Sequence, residues 1–218
     1  MPRIIDILLS TLALLILLPF FVPIVVILLL TGEHKVFYSQ SRVGYKNKDF
    51  KIIKFATMLS NSANMGSGSL TLKNDPRVLP FGIFLRKTKI NELPQILNII
   101  IGDLSIVGPR PQMQVDFEKY SDDVQGKIYN VRPGLTGIGS IIFRDEESLI
   151  SLAAENENPH DFYKRVIAPY KGEVEIWYHS HRSLFLDFQL IFMTAWAIVS
   201  PETRLYEKWF KDLPKRGF

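Results

Sequence analysis

Asn91 and Glu92 stand just ahead of Pro94 and the run Gln95 to Ile101, and Arg110 lies between Pro109 and Pro111. Leu93, Ile96, Leu97, Ile100 and Ile101 recur at the steps of an amphipathic helix, with Pro94 suited to its first turn and Gly102 to its end. This spacing puts Asn91 and Glu92 at or just ahead of a helix N-terminus, where free N–H groups and the positive dipole end stabilise a carboxylate and attract phosphate. Pro111 disfavours the helical region for Arg110 and Pro109 fixes its predecessor, so this guanidinium can grip a phosphate bidentately at a reduced ordering cost. Together with nearby Arg86 these groups point to phosphate chemistry. The plainer alternatives are a helix cap for Glu92 and an ordinary ion pair for Arg110.

Other chemistries find less support. There are no cysteines, which excludes disulfides and thiolate metal sites. His179 and His181 are two apart and do not share a helix face, and no H-E-x-x-H, G-x-S-x-G or zinc-finger spacing occurs. The small-residue stretch "SNSANMGSGS", residues 60 to 69, lacks the P-loop pattern and reads as a mobile loop. Lys46 to Lys54 is basic and interleaved with Tyr45 and Phe50, but a solvated or lipid-facing strand explains it better than nucleic acid does. The net charge of +4 suits partners that carry phosphate.

These groups sit behind a membrane segment. The chain has 218 residues, room for one compact domain and an appendage, and its 47% hydrophobic content is unevenly placed: between Ile4 and Leu30 the only charge is Asp6. "LLLTGEHKVFYSQ" offers no signal-peptide cleavage pattern, so the segment is expected to be retained. It is long enough to cross a bilayer as a tilted helix. Pro19 and Pro23 also favour a kink or break, which would leave Ile4 to Leu18 about 22 Å long, too short to span. Arg3 flanks one end and Lys35, Arg42, Lys46, Lys48, Lys51 and Lys54 follow the other, so both ends can lie in the cytoplasm. On these grounds a span and a re-entrant hairpin stand level.

Downstream, "KVFYSQSRV" and "DFKIIKF" around the turn-like "GYKNKD" predict a β-hairpin. "MQVDFEKYSDDVQGKIYNV" reads as a helix, "LTGIGSIIF" as an extended segment, and residues 159 to 182 as a helix interrupted near Pro169. Residues 184 to 199 suit an interfacial or core helix. The tail "WFKDLPKRGF" reads as a segment resting on an anionic surface or as a solvated terminus.

An apolar N-terminal segment with a mid-run Pro, followed in order by "SRVG", "KFATM", "NDPRV", "LRKTKINELPQ", "GDLSIVGPRP", "VRPGLTG" and "LFLDFQLI", resembles the bacterial sugar transferases, the monotopic phosphoglycosyl transferases. The resemblance covers most of the chain. It implies a helix-rich α/β fold, with a re-entrant membrane helix-hairpin over residues 1–32, a cytoplasmic membrane-associated transferase domain over residues 33–218 and interfacial amphipathic helices. It further implies transfer of a sugar-1-phosphate from a UDP-sugar to polyprenyl phosphate with release of UMP, at the cytoplasmic face of the bacterial inner membrane. That step would begin a surface glycan extended by further glycosyltransferases. Membrane phospholipid is then a partner and nucleic acid is not.

In the family an Asp-Glu dyad aligns with Asn91 and Glu92; its Asp forms a covalent phosphosugar intermediate, and magnesium, expected here on Glu92 and Asn91, assists. The family's phosphate-binding arginines fall on Arg86 and Arg110, and a basic residue falls on Lys54. Two departures stand out: Asn91 replaces the nucleophilic Asp, and Ala56 stands where an Arg is usual. An amide is a poor phosphate nucleophile and a weaker magnesium ligand. Three explanations fit: an active variant in which Glu92 acts as nucleophile or base, a catalytically silent binder of UDP-sugar or lipid, or an introduced change that traps substrate. The first is favoured because the other phosphate-handling residues persist.

Overall fold

The structure is a computed structural model, described here over residues 1–200 and 203–218. It opens with helix α1 (Arg3–Leu30), followed by the hairpin β1 (Phe37–Val43) and β2 (Asp49–Phe55). Helices α2 (Pro80–Lys87) and α3 (Gln95–Ile101) come next, then β3 (Ser105–Val107), α4 (Gln114–Phe117), α5 (Asp122–Lys127) and β4 (Gly134–Thr136). Helices α6 (Ile138–Ile142), α7 (Glu146–Ala153), α8 (Pro159–Phe162), α9 (Ala168–His181), α10 (Leu184–Val199) and α11 (Leu205–Trp209) complete the chain. The helix-rich α/β expectation holds.

α1 is helical without interruption through Pro19 and Pro23, which corrects the expected break. Each proline forfeits one hydrogen bond, but Leu- and Ile-rich turns on both sides propagate the helix, and prolines are tolerated in apolar helices of this kind. At about 1.5 Å per residue its 28 residues would reach about 42 Å if straight, enough to cross a membrane by length and composition. Both ends nevertheless pack on the folded domain. Arg3 donates to the Ile99 and Ile100 carbonyls at 2.5 and 2.8 Å, and buried Asp6 accepts from Ser105 Oγ and the Ile106 N–H. At the other end Leu28 and Phe21 pack on Phe55 and Leu85. The face between is apolar and exposed, with Leu12, Leu15, Ile16 and Phe20 outward.

β1 and β2 pair antiparallel, with Tyr38 opposite Lys54 and Arg42 opposite Phe50, so the period of two sets Tyr38, Gln40, Arg42 and Lys54 on one face. β3 and β4 pair in parallel; a Cβ on Gly134 would lie 2.1 Å from Gly108 N, so glycine there permits the backbones to approach. The main core gathers Ile128, Ile138, Ile167, Val174, Tyr178 and Leu190 beneath this pair. α10 turns Leu186, Leu190, Met193 and Ala197 inward and leaves Phe185, Phe188, Phe192 and Trp196 exposed, so it is a core helix and an apolar surface helix at once.

Three local expectations are corrected. "MQVDFEKYSDDVQGKIYNV" forms the two short helices α4 and α5, with Ser121 at the start of the second in place of a continuous run. "LTGIGSIIF" is extended only through Thr136 and then helical, because Ile138, Ile141 and Ile142 turn into the core at helical spacing. The expected interruption near Pro169 is present, as a π-helical turn, Tyr163–Ile167, ahead of α9. The third correction concerns the tail, which packs inward, with Phe210 and Leu213 buried and Asp212 accepting from Trp177 Nε1 at 2.9 Å.

Candidate functional site

α2 ends at Lys87, and Lys89, with φ of +61°, turns the chain into the tight 3-10 turn Ile90–Glu92 ahead of α3. That turn holds Asn91 and Glu92 as the sequence predicts, and Gly102, with φ of +115°, closes α3. Asn98 fixes the helix to the neighbouring strand: its amide donates to the Lys51 carbonyl at 2.8 Å and accepts from the Ile53 N–H at 3.0 Å. The dyad position and Lys54, one residue further along β2, therefore move as one unit.

Glu92 Oε1 lies 3.0 Å from Lys54 Nζ and 3.6 Å from an Arg110 guanidinium nitrogen. Burial works against the Glu92 carboxylate, yet Lys54, Arg110 and Lys89 together hold its pKa well below the ordinary carboxylate range. Burial likewise pushes the Lys54 ammonium down to about 8 against the pull of Glu92, with Arg110 and Arg42 adding repulsion. Asn91 is buried, and its Oδ1 has no hydrogen-bond partner. Arg86 lines the same cavity but pairs with Glu147 at 2.5 Å. All five residues singled out from the sequence thus border one cavity of about 800 Å³, in the range of small-ligand sites. Among its described walls cations outnumber carboxylates.

Several residues that build the site escaped sequence reading. Arg42 reaches the cavity from β1, where strict alternation with Tyr38 and Gln40 was the available signal. The Arg110 backbone is gripped on both sides: its N–H donates to Glu175 Oε1 at 3.2 Å, and its carbonyl accepts from Tyr129 OH at 2.8 Å. Arg77, in "NDPRV", orders the segment expected to be mobile, since its guanidinium donates to Asp75 and to the carbonyls of Ser62, Met65, Gly68 and Leu70. Ser62, Gly68 and Leu70 line the cavity, so this loop is a built wall.

Glu175 is fully buried and its Oε2 is unpartnered. Burial raises its pKa to about 7, opposed by the Arg110 N–H and by Lys171. A carboxyl raised from 4.5 destabilises the fold once ionised: the penalty is absent below 4.5, grows between the two values and is complete above about 7. It amounts to roughly 3 kcal/mol. Glu175→Gln keeps an acceptor for Arg110. Thermal scans should show the variant's melting point raised by roughly 5–10 °C at about pH 8 and little changed near pH 4.5; equal shifts at both would contradict this.

No group of three or more His, Asp or Glu side chains among the described residues is arranged to hold a metal by itself. The donors present, the Glu92 carboxylate and the unpartnered Asn91 Oδ1, fit a magnesium ion that completes its shell with substrate phosphate oxygens and water.

Comparison with known proteins gives this geometry its family. The exopolysaccharide production protein ExoY of Rhizobium meliloti is 32% identical, matching 88% of this chain and 83% of its own length. The UDP-glucose:undecaprenyl-phosphate glucose-1-phosphate transferase of Escherichia coli is 32% identical over 87% of this chain but only 38% of its own length. The undecaprenyl-phosphate galactose phosphotransferase of Salmonella typhimurium is also 32% identical, over 74% of this chain and 33% of its own. The family described as bacterial sugar transferase matches residues 1–201, and the chain belongs to it.

Proposed function

We propose that the chain moves a sugar-1-phosphate from a UDP-sugar to polyprenyl phosphate, in the undecaprenyl form, releasing UMP. The observation that carries this reading is the partly buried Glu92, paired with Lys54 and Arg110, in a basic cavity beside an apolar helix. The relatives named as undecaprenyl-phosphate sugar phosphotransferases support the acceptor. An acceptor phosphate oxygen attacks the sugar-bearing phosphorus, a new P–O–P link forms, and the bond to the bridging oxygen breaks so that UMP departs with it. Arg110 and Lys54 hold phosphate oxygens and offset the charge that builds up there.

Asn91 cannot supply the family's covalent step. Glu92 is ionised throughout the physiological range, which suits an anionic ligand or nucleophile and makes it a weak proton acceptor. The lipid phosphate is itself anionic and needs no base, so direct displacement is the simplest route. Magnesium, held by Glu92 and Asn91, would neutralise diphosphate charge when bound. The second reading, a silent binder, is favoured only by the Asn91 amide. Incubation with a panel of UDP-sugars, undecaprenyl phosphate and magnesium separates the two. UMP release that requires the lipid supports transfer, and no UMP with any sugar supports the silent reading.

The cytoplasmic face of the bacterial inner membrane is the proposed location, with α1 re-entrant. Contacts of both ends of α1 with one folded domain support this, since a helix crossing upright would carry one end away from it. Reporter tags placed before Met1 and after Thr31 should both report cytoplasm; opposite compartments would establish a span.

A further inference from the structure

A second cavity, of about 260 Å³, lies between the C-terminal end of α1 and the start of α2. Leu28, Ala56, Leu79, Pro80 and Phe81 make its wall predominantly apolar, with Lys35 and Glu33 also on it. Its shape is fixed by close backbone approaches. A Cβ on Gly82 would lie 2.2 Å from the Thr57 carbonyl oxygen, and one on Gly32, where φ is +61°, would lie 2.9 Å from a Leu79 methyl. Lys35 and Glu33 both bond Ser60, tying the segment after α1 to the one after β2.

Met58 lines both this cavity and the basic one, and Arg86 approaches its sulfur at 3.7 Å from the basic side. One flexible, apolar side chain therefore stands between a mainly apolar slot beside α1 and a cluster of cations. A ligand that used both cavities would need an anionic head joined directly to an apolar chain. An ionic head alone would leave the slot unfilled.

We propose that the slot beside Leu28 and Ala56 receives the first isoprene units of a polyprenyl phosphate whose phosphate lies on the Arg86 side of Met58. The proposal rests on the transferase reading for the identity of the acceptor. The continuity through Met58 selects the isoprenoid phosphate over a bilayer acyl chain, because a phospholipid tail is separated from its phosphate by glycerol. A slot of 260 Å³ can seat only the first part of the chain, leaving the remainder in the bilayer.

The test is photo-crosslinking, which does not depend on turnover. Full-length protein in lipid nanodiscs is labelled with undecaprenyl phosphate bearing a diazirine on its first isoprene unit, then mapped by peptide mass spectrometry. Labels are expected on residues 28–35, 56–58 and 79–82. Ala56→Leu, which narrows the slot, should lower their yield at least fivefold without changing the melting point. Labels confined to the outward face of α1 around Leu12 to Phe20 would overturn the proposal, as would equal labelling of the slot by a phospholipid with a diazirine in its acyl chain. Slot labelling without UMP release from any UDP-sugar would sink the transferase reading while leaving the lipid site standing.

Discussion

Glu92→Gln is expected to lower lipid-dependent UMP release on the order of a hundredfold to a thousandfold, the size seen when one preorganised electrostatic group is removed from a phosphoryl or acyl transfer site. The substitution keeps the shape of the side chain and removes its charge. Lys54, at 3.0 Å, loses the partner that opposes its desolvation, while Arg110 and Arg42 continue to repel it. Its pKa then falls below the present value of about 8, and the ammonium is lost near neutral pH. Residual activity in the variant should therefore decline as pH rises across a range where the parent protein stays active. Steady-state rates at several pH values check both points. Full turnover in the variant would remove Glu92 from the mechanism.

Arg77→Ala has the second large effect, on the wall of the cavity. Arg77 is 3% exposed and meets Asp75 at 2.6 Å. The same guanidinium satisfies four main-chain carbonyls between Ser62 and Leu70 and the hydroxyl of Ser67. Removing it leaves the buried Asp75 carboxylate uncompensated in charge, with only the Leu72 and Arg77 backbone N–H groups donating to it, and strips these carbonyls of their donor, a loss of about 3–5 kcal/mol. The melting point should fall by roughly 10 °C, and limited proteolysis should cut first between residues 60 and 72. Arg77→Lys should recover little, because an ammonium cannot present five donors in a planar fork. Unchanged stability together with an uncut loop would contradict this assignment.

The contrast between Arg110 and Arg77 shows what the sequence made legible. Arg110 announces itself through local chemistry: two flanking prolines restrict its backbone, and its role follows from residues adjacent in the chain. The turn holding Asn91 and Glu92 is similarly local, marked by Pro94 and Gly102, and the structure places both where those signals put them. Arg77 works through carbonyls 7 to 15 residues away, and the glycines and serines it organises look mobile when taken by themselves. Glu175 is more remote still, 65 residues from the backbone N–H it receives. Where helical and strand periods compete over few residues, as in "LTGIGSIIF", burial by tertiary packing decided the outcome and the local pattern did not. α1 shows the same priority in reverse, because a long apolar helix absorbed two prolines that sequence rules treat as breaks.

The transfer itself is tested most directly by following the sugar-bearing phosphorus. UDP-sugar labelled with radioactive phosphorus at that position is incubated with the protein, undecaprenyl phosphate and magnesium, and the lipid and nucleotide fractions are separated. Phosphoryl transfer should move the label into the lipid fraction, one equivalent for each unlabelled UMP formed. Label retained in UDP alongside a sugar-bearing lipid would mean that the sugar–oxygen bond had broken instead, contradicting sugar-1-phosphate transfer.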